Sequence, residues 1–151
     1  MDYQGKTALI TGASSGIGAE FARQLAARGM NLVLVARSQD KLMELAEDIR
    51  KTHEVTIKVL VADLSNPDEA ADLAERTKAA KLEVDLLINN AGFGTHGRFS
   101  KQSSMQERRE VLVNALAPLE TIHAFLPGMI ERGSGGIINV ASSAGFQPTP
   151  F

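Results

Sequence analysis

Three glycines, Gly12, Gly16 and Gly18, sit between a short apolar run at residues 6–11 (KTALIT) and a segment with helical periodicity. A glycine-rich turn in that position presents backbone N–H groups and the positive end of a helix dipole, a combination that favours a phosphate. Glycine serves where a Cβ would collide with a ligand or force an unfavourable φ. The spacing Gly12-x3-Gly16-x-Gly18 is not G-x-G-x-x-G, and no Gly-Lys-Ser/Thr follows to make a P-loop. Taken alone, such a run is often only a tight turn. Other reactive side chains are sparse. With no cysteine there is neither a disulfide nor a thiolate metal site. His53, His96 and His123 lack metal-ligand spacing. His53 and His123 read as helix-surface or partly buried residues and His96 as a loop residue.

The elements that must position the glycine turn alternate along the chain. After it, Ile17, Phe21 and Leu25 repeat every four residues beside Ala22 and Ala26, and Gly29 stands where a helix ends. Residues 31–36 (NLVLVA) are apolar on both faces, the mark of a parallel strand covered by helices on each side. Ser38 is placed to cap a helix carrying Leu42, Leu45, Ala46 and Ile49. Residues 56–62 form a third strand, and Asn66-Pro67-Asp68-Glu69 opens a third helix with a cap and a proline at its first position. Residues 85–89 form a fourth strand. Ser103 with Gln106, or Ser104 with Glu107, makes a capping box before a long helix reaching about Arg132, and residues 136–141 form a fifth strand. Such alternation predicts an α/β doubly wound parallel sheet, with strand order 3-2-1-4-5 if crossovers are right-handed and the direction switches after the third strand. The glycine turn and Asn89-Asn90-Ala91-Gly92 then fall at the ends of the two strands flanking the switch point. No internal linker or repeat breaks residues 1–151, which read as one domain.

Lys and Arg number 16 against 18 Asp and Glu and never form a run of five, which argues against nucleic acid. Arg108-Arg109, the densest basic spot, reads as a solvated helix face. No signal peptide is expected, nor an apolar stretch near the roughly 20 residues that span a bilayer. The expectation is a soluble, cytoplasmic protein with no membrane contact.

Four motifs, in order and with matching spacing, resemble those of the short-chain dehydrogenase/reductase family. Thr11-Gly12-Ala13-Ser14-Ser15-Gly16-Ile17-Gly18 is similar to its T-G-x3-G-x-G turn and Asn89-Asn90-Ala91-Gly92 to its N-N-A-G segment. Asp63-Leu64 stands where the family carries an adenine-contacting acid, and residues 139–145 resemble its N-x-S-S-x-x-G strand end with one serine displaced. The resemblance covers essentially the whole chain. It implies a Rossmann-type, three-layer α/β/α fold binding a nicotinamide dinucleotide. Gly12, Gly16 and Gly18 would admit the pyrophosphate, with Ser14, Ser15 and Ile17 lining the turn, and Asn90, Ala91 and Gly92 would lie near ribose and nicotinamide. Asn89 reads instead as a buried amide bridging neighbouring strands.

The end of the second strand bears on which dinucleotide. An Asp or Glu there would take the ribose hydroxyls and repel a 2′-phosphate. Ala36-Arg37-Ser38 instead offers a fixed cation and a hydroxyl at a helix start, which predicts NADP(H) over NAD(H). The alternative is that Arg37 is a solvated surface residue.

The resemblance further implies hydride transfer between nicotinamide and a small-molecule carbonyl or alcohol, with proton chemistry from a tyrosine, a lysine, a serine and an asparagine. Ser142 and Asn114 match the serine and asparagine. Their alternatives are a strand-end hydroxyl satisfied by backbone and a buried amide at a helix interface. Pro118 lacks the N–H that would bond the Asn114 carbonyl, so the helix is expected to kink there and that oxygen to be able to hold a relay water. Family spacing places the tyrosine about four residues beyond Phe151 and the lysine four further on, while the sole tyrosine, Tyr3, precedes the first strand. The implied picture is a domain incomplete at its C-terminus, inactive alone, with an open edge at its fifth strand and Leu116, Leu119, Ile122 and Leu126 short of packing partners. The family implies a homo-oligomer in the complete form. The alternatives are a non-catalytic NADP(H)-binding module or a subunit completed by another chain.

Overall fold

A computed structural model describes residues 3–146. Five strands, β1 (Thr7–Thr11), β2 (Asn31–Ala36), β3 (Ile57–Val61), β4 (Leu86–Asn89) and β5 (Gly136–Asn139), pair in parallel in the order β3-β2-β1-β4-β5. The expected doubly wound sheet is therefore the one observed, with the second strand at its expected bounds and the other four one or two residues shorter. Successive side chains feed opposite faces. Ala8, Ile10, Leu32, Leu34, Leu86 and Ile88 join one core with helices α1 (Gly16–Ala26) and α2 (Gln39–Arg50). Leu9, Val33, Val35 and Leu87 join the other with α3 (Glu69–Ala79) and the long helix. Cover on both faces is why these strands carry no polar alternation.

The helix faces differ in detail from the periodic reading. In α1 the buried stripe is Gly18, Ala19, Ala22, Leu25 and Ala26, while Ile17 is 60% exposed. The every-four repeat drew Ile17 into the core stripe, but it stands at the helix mouth. Gly29 does end this segment, with φ +81°. Ser38 and Ser103 occupy N-cap positions, yet neither hydroxyl makes a capping bond. Helix α3 starts at Glu69, later than expected. Asn66 Oδ1 accepts the Asp68 N–H at 3.2 Å, so Asn66-Pro67-Asp68 closes a turn of its own before the helix begins.

The long helix runs from α4 (Ser104–Val111) through a π-helical turn at Leu112–Leu116 into α5 (Ala117–Glu131). Ala117 N–H donates to the Leu112 carbonyl, five residues back. The extra residue in this turn lies immediately before Pro118, which has no N–H to give to Asn114. The proline is thus accommodated by a π-turn. By length and composition this 28-residue helix could cross a membrane, its most apolar window reaching a mean hydropathy of 1.2. The core helix of a soluble protein passes the same test, and the window includes Asn114 and Glu120 and is not an unbroken apolar run. Ala117, Thr121, Phe125 and Met129, spaced by four, rest on the sheet.

Candidate functional site

The ends of β1, β2, β3 and β4 open into one cavity of about 780 Å3, at the switch point where the strand order reverses. Its wall is the glycine turn on one side and residues 90–93 on the other. These two segments are stitched together. Thr11 Oγ1 donates to the Ile88 carbonyl and accepts the N–H groups of Asn90 and Ala91 at 2.9 and 3.0 Å. Asn90 Nδ2 returns a bond to the Thr11 carbonyl at 2.9 Å. Gly12 has φ +66°, and a Cβ on it would lie 2.8 Å from Ala91 Cα, so only glycine fits this close approach.

Of the residues expected to bind a dinucleotide, Gly12, Ser14, Ser15, Ile17, Arg37, Ser38, Asp63, Leu64, Asn90, Ala91 and Gly92 line this cavity. Gly16 and Gly18 do not. Gly18 is buried, and a Cβ there would meet the Gly12 carbonyl, so it packs the turn from behind. Gly16, at φ +54°, faces a neighbouring shallow groove. The α1 N-terminus has no acid in its first turn and no side-chain cap from Ser15, leaving its positive end to the cavity.

Arg37 is exposed, and no hydrogen bond or ion pair engages it among the described residues. Asp63 is held rigidly: Oδ1 accepts the Ser65 N–H and O–H at 3.0 and 2.8 Å, and Oδ2 faces Arg109 at 3.3 Å. Burial alone pushes the Asp63 carboxyl up, but the Ser65 bonds with Arg109 and Arg37 outweigh it and hold it below the usual carboxylate value. Arg109 had the reading of a solvated helix face. It instead reaches 46 residues back along the chain, and Lys41, Ser65, Phe93 and Val113 join it in the lining. Nothing local marks Arg109, whereas Lys41 lies in the first turn of the helix that Ser38 opens.

Neither expected catalytic residue lines the cavity. The Asn114 amide is spent on the backbone of Phe93, donating from Nδ2 at 2.8 Å and accepting at Oδ1 at 3.1 Å. Four residues earlier, Glu110 Oε2 accepts both the N–H and O–H of Thr95 at 3.0 and 2.7 Å. Two side chains one helical turn apart thus clamp the loop after β4. Ser142 lies exposed beyond β5, its Oγ accepting the Ala144 N–H at 3.1 Å, as a strand-end hydroxyl satisfied by backbone does. Asn89 does bridge: it donates to Asn139 Oδ1 at 2.9 Å and accepts from Thr121 Oγ1 at 2.8 Å.

The donor set suits a dinucleotide bearing several phosphates: an uncapped helix start, serine hydroxyls, and Arg37, Lys41 and Arg109 against one acid, Asp63, among the lining residues. The family model for short chain dehydrogenase matches residues 6–151. An uncharacterized oxidoreductase of Staphylococcus saprophyticus is 36% identical over 149 residues, which are 99% of this chain and 64% of that protein. Human inactive hydroxysteroid dehydrogenase-like protein 1 is also 36% identical, over 97% of this chain and 44% of its own. Among solved structures, L-sorbose reductase from Gluconobacter frateurii, complexed with NADPH and L-sorbose, superposes with a TM-score of 0.92 at 32% identity. The match covers 100% of this chain and 58% of the reductase. The chain therefore spans between 44% and 64% of the length of these relatives.

Proposed function

The chain belongs to the short-chain dehydrogenase family, and on that premise we propose that its cavity holds NADP(H) in preference to NAD(H), for oxidation or reduction of a small-molecule alcohol or carbonyl. The observation that carries this reading is the end of β2, where Arg37 and Ser38 border the cavity in place of an acid. The NADPH complex of the sorbose reductase supports it.

Bound nicotinamide would supply or take the hydride. The chain's own residues do the positioning. Ser14, Ser15 and Ile17 with the α1 N-terminus receive the pyrophosphate, and Gly12 keeps the turn close to Ala91. Arg37 and Ser38 receive the 2′-phosphate, and Asp63 and Leu64 border the base. Asn90 acts through its side chain on the turn, while Ala91 and Gly92 border the nicotinamide end. Asn114 acts through Phe93, fixing the loop that carries Gly92. Ser142 accepts a backbone bond, which leaves its own O–H to donate to a substrate oxygen. A second reading, a non-catalytic NADP(H)-binding module, is favoured by the relative described as inactive.

Fluorescence titration separates the cofactors. NADPH should bind more tightly than NADH, and Arg37→Ala should weaken NADPH far more than NADH. Equal losses for both would sink the cofactor assignment. NADPH oxidation on a panel of ketones and aldehydes, by a chain that carries the Tyr-x-x-x-Lys motif expected beyond Phe151, separates enzyme from module: binding without turnover there leaves the module.

A further inference from the structure

The loop after β4, residues 90–96, has neither helix nor strand, so its N–H groups take partners from outside it. Thr11 Oγ1 accepts those of Asn90 and Ala91. Asn114 Oδ1 accepts that of Phe93. Glu110 Oε2 accepts both the N–H and the O–H of Thr95, at 3.0 and 2.7 Å. Between these anchors stand Gly92 and Gly94, the residue type with the most backbone freedom to lose. The two helix side chains lie along them. A Cβ on Gly92 would be 3.1 Å from Asn114 Oδ1, and one on Gly94 would be 3.9 Å from Glu110 Oε1. Gly92 and Phe93 line the cavity, whereas Glu110 and Thr95 do not. Whatever Glu110 does to a ligand there passes through the loop.

We propose that Glu110 is a positioning residue for the nicotinamide end of the cavity: by holding Thr95 it fixes the far side of the loop, so that Gly92 and Phe93 meet the ligand already in place. This rests on the reading above, which sets the nicotinamide beside Ala91 and Gly92. Asn114 by itself would hold the loop at Phe93 and leave the chain free to swing from Gly94 onward. With Glu110 the loop is held on both sides of Gly94. A loop ordered in advance spares the ligand the cost of ordering it. The adenosine end is bordered by Arg37, Ser38, Asp63 and Leu64, on the turns after β2 and β3, and none of these is in the loop. The signature is therefore an effect confined to one end of the ligand, which a general loss of stability would not produce.

Isothermal titration of the full chain compares NADPH with adenosine 2′,5′-bisphosphate, which carries the phosphorylated adenosine and lacks the nicotinamide half. Glu110→Ala should weaken NADPH about three- to tenfold, the range for re-ordering one or two immobilised groups on binding, and leave the bisphosphate unchanged. Glu110→Gln should keep both wild-type affinities, because its amide oxygen still accepts from Thr95. Thr95→Val, which loses the O–H and keeps the N–H, should show a smaller loss, again for NADPH only. An equal loss of both ligands in Glu110→Ala would mean that Glu110 holds the fold as a whole, and overturns the proposal. So does no loss of either, or a Glu110→Gln chain as weak as Glu110→Ala. A wild-type chain that binds NADPH no better than the bisphosphate overturns it too, with the NADP(H) reading intact. A wild-type chain that binds NADH as tightly as NADPH removes that reading instead, and NADH against ADP then decides on Glu110 in the same way. Should Glu110→Ala fail to fold, Thr95→Val decides: a loss confined to NADPH supports the proposal, and equal losses or none overturn it.

Discussion

The half of the sheet built from β1, β2 and β3 and the side built from α4, α5 and β5 are held by different forces. Every residue of β1 is buried, and β2 is buried at its four central positions. Strand β5 has no buried residue, and neither has α4. On that second side Met105, Val111, Leu119 and Ile130 are all at least half exposed. Beyond the Ala117, Phe125 and Met129 stripe that packs on the sheet, what orders its outer part are polar links: Asn114 to Phe93, Glu110 to Thr95, and Asn89 to both Thr121 and Asn139. A doubly covered parallel sheet gains from burial on both faces, whereas a strand with thin cover must be tied by directed bonds. The first region should respond to lost volume and the second to lost bonding partners.

The largest effect is expected in the first region. Leu34 is fully buried at the centre of β2, against helices α1 and α2. Leu34→Ala should cost about 2–5 kcal/mol, the range for a leucine truncated in a core that relaxes only partly. Urea unfolding measures it. A cost under about 1 kcal/mol would mean that this half, too, is held by something other than packing.

An intermediate effect is expected where the regions meet. Asn89→Ala removes one amide that serves Asn139 on β5 and Thr121 on α5. It should cost about 0.5–1.5 kcal/mol, the range for a lost hydrogen bond, because Thr121 Oγ1 keeps the Ala117 and Pro118 carbonyls as acceptors and what goes is the link to β5. The discriminating readout is hydrogen exchange. Amides of β5 should lose protection while those of β1 and β2 keep theirs. Uniform loss across the sheet would erase the distinction between the two regions.

How far each region was legible in the sequence follows the same division. The apolar runs of β1, β2 and β4 marked the strands, because full burial leaves a clear pattern with turns at both ends, and the order followed from right-handed crossovers with a switch after the third strand. Asn89 was legible for the opposite reason: a lone amide in such a run has to find partners. The glycine turn was legible because Gly12 requires a positive φ that few other residues tolerate. What was missed depends on tertiary distance or on hydroxyl orientation. Arg109 looked like half of a solvated pair, since its carboxylate partner is 46 residues away. Ile17 fitted a four-residue repeat but stands at the cavity, and the serines at two N-caps leave their hydroxyls unused by the helix. Pattern reading registers which face a residue occupies more readily than what that face meets.

The smallest effect sharpens the comparison most. Ile130 is 68% exposed on α5, and Leu119 and Leu126 on the same helix are 50% and 36% exposed. If polar links hold this side, Ile130→Lys should change unfolding free energy by no more than about 0.5 kcal/mol, as at an ordinary surface position. The same substitution should reduce self-association, because β5 pairs with β4 on one side and, among the described residues, with no strand on the other. An open edge beside an exposed apolar helix face is a template for contact between copies, and a charge there opposes it. Light scattering over a concentration series reads association, and urea unfolding reads stability. A loss of more than about 1 kcal/mol with unchanged association would place Ile130 in a packed environment. The second region would then be apolar-held like the first, and the exposed stripe would be part of its core.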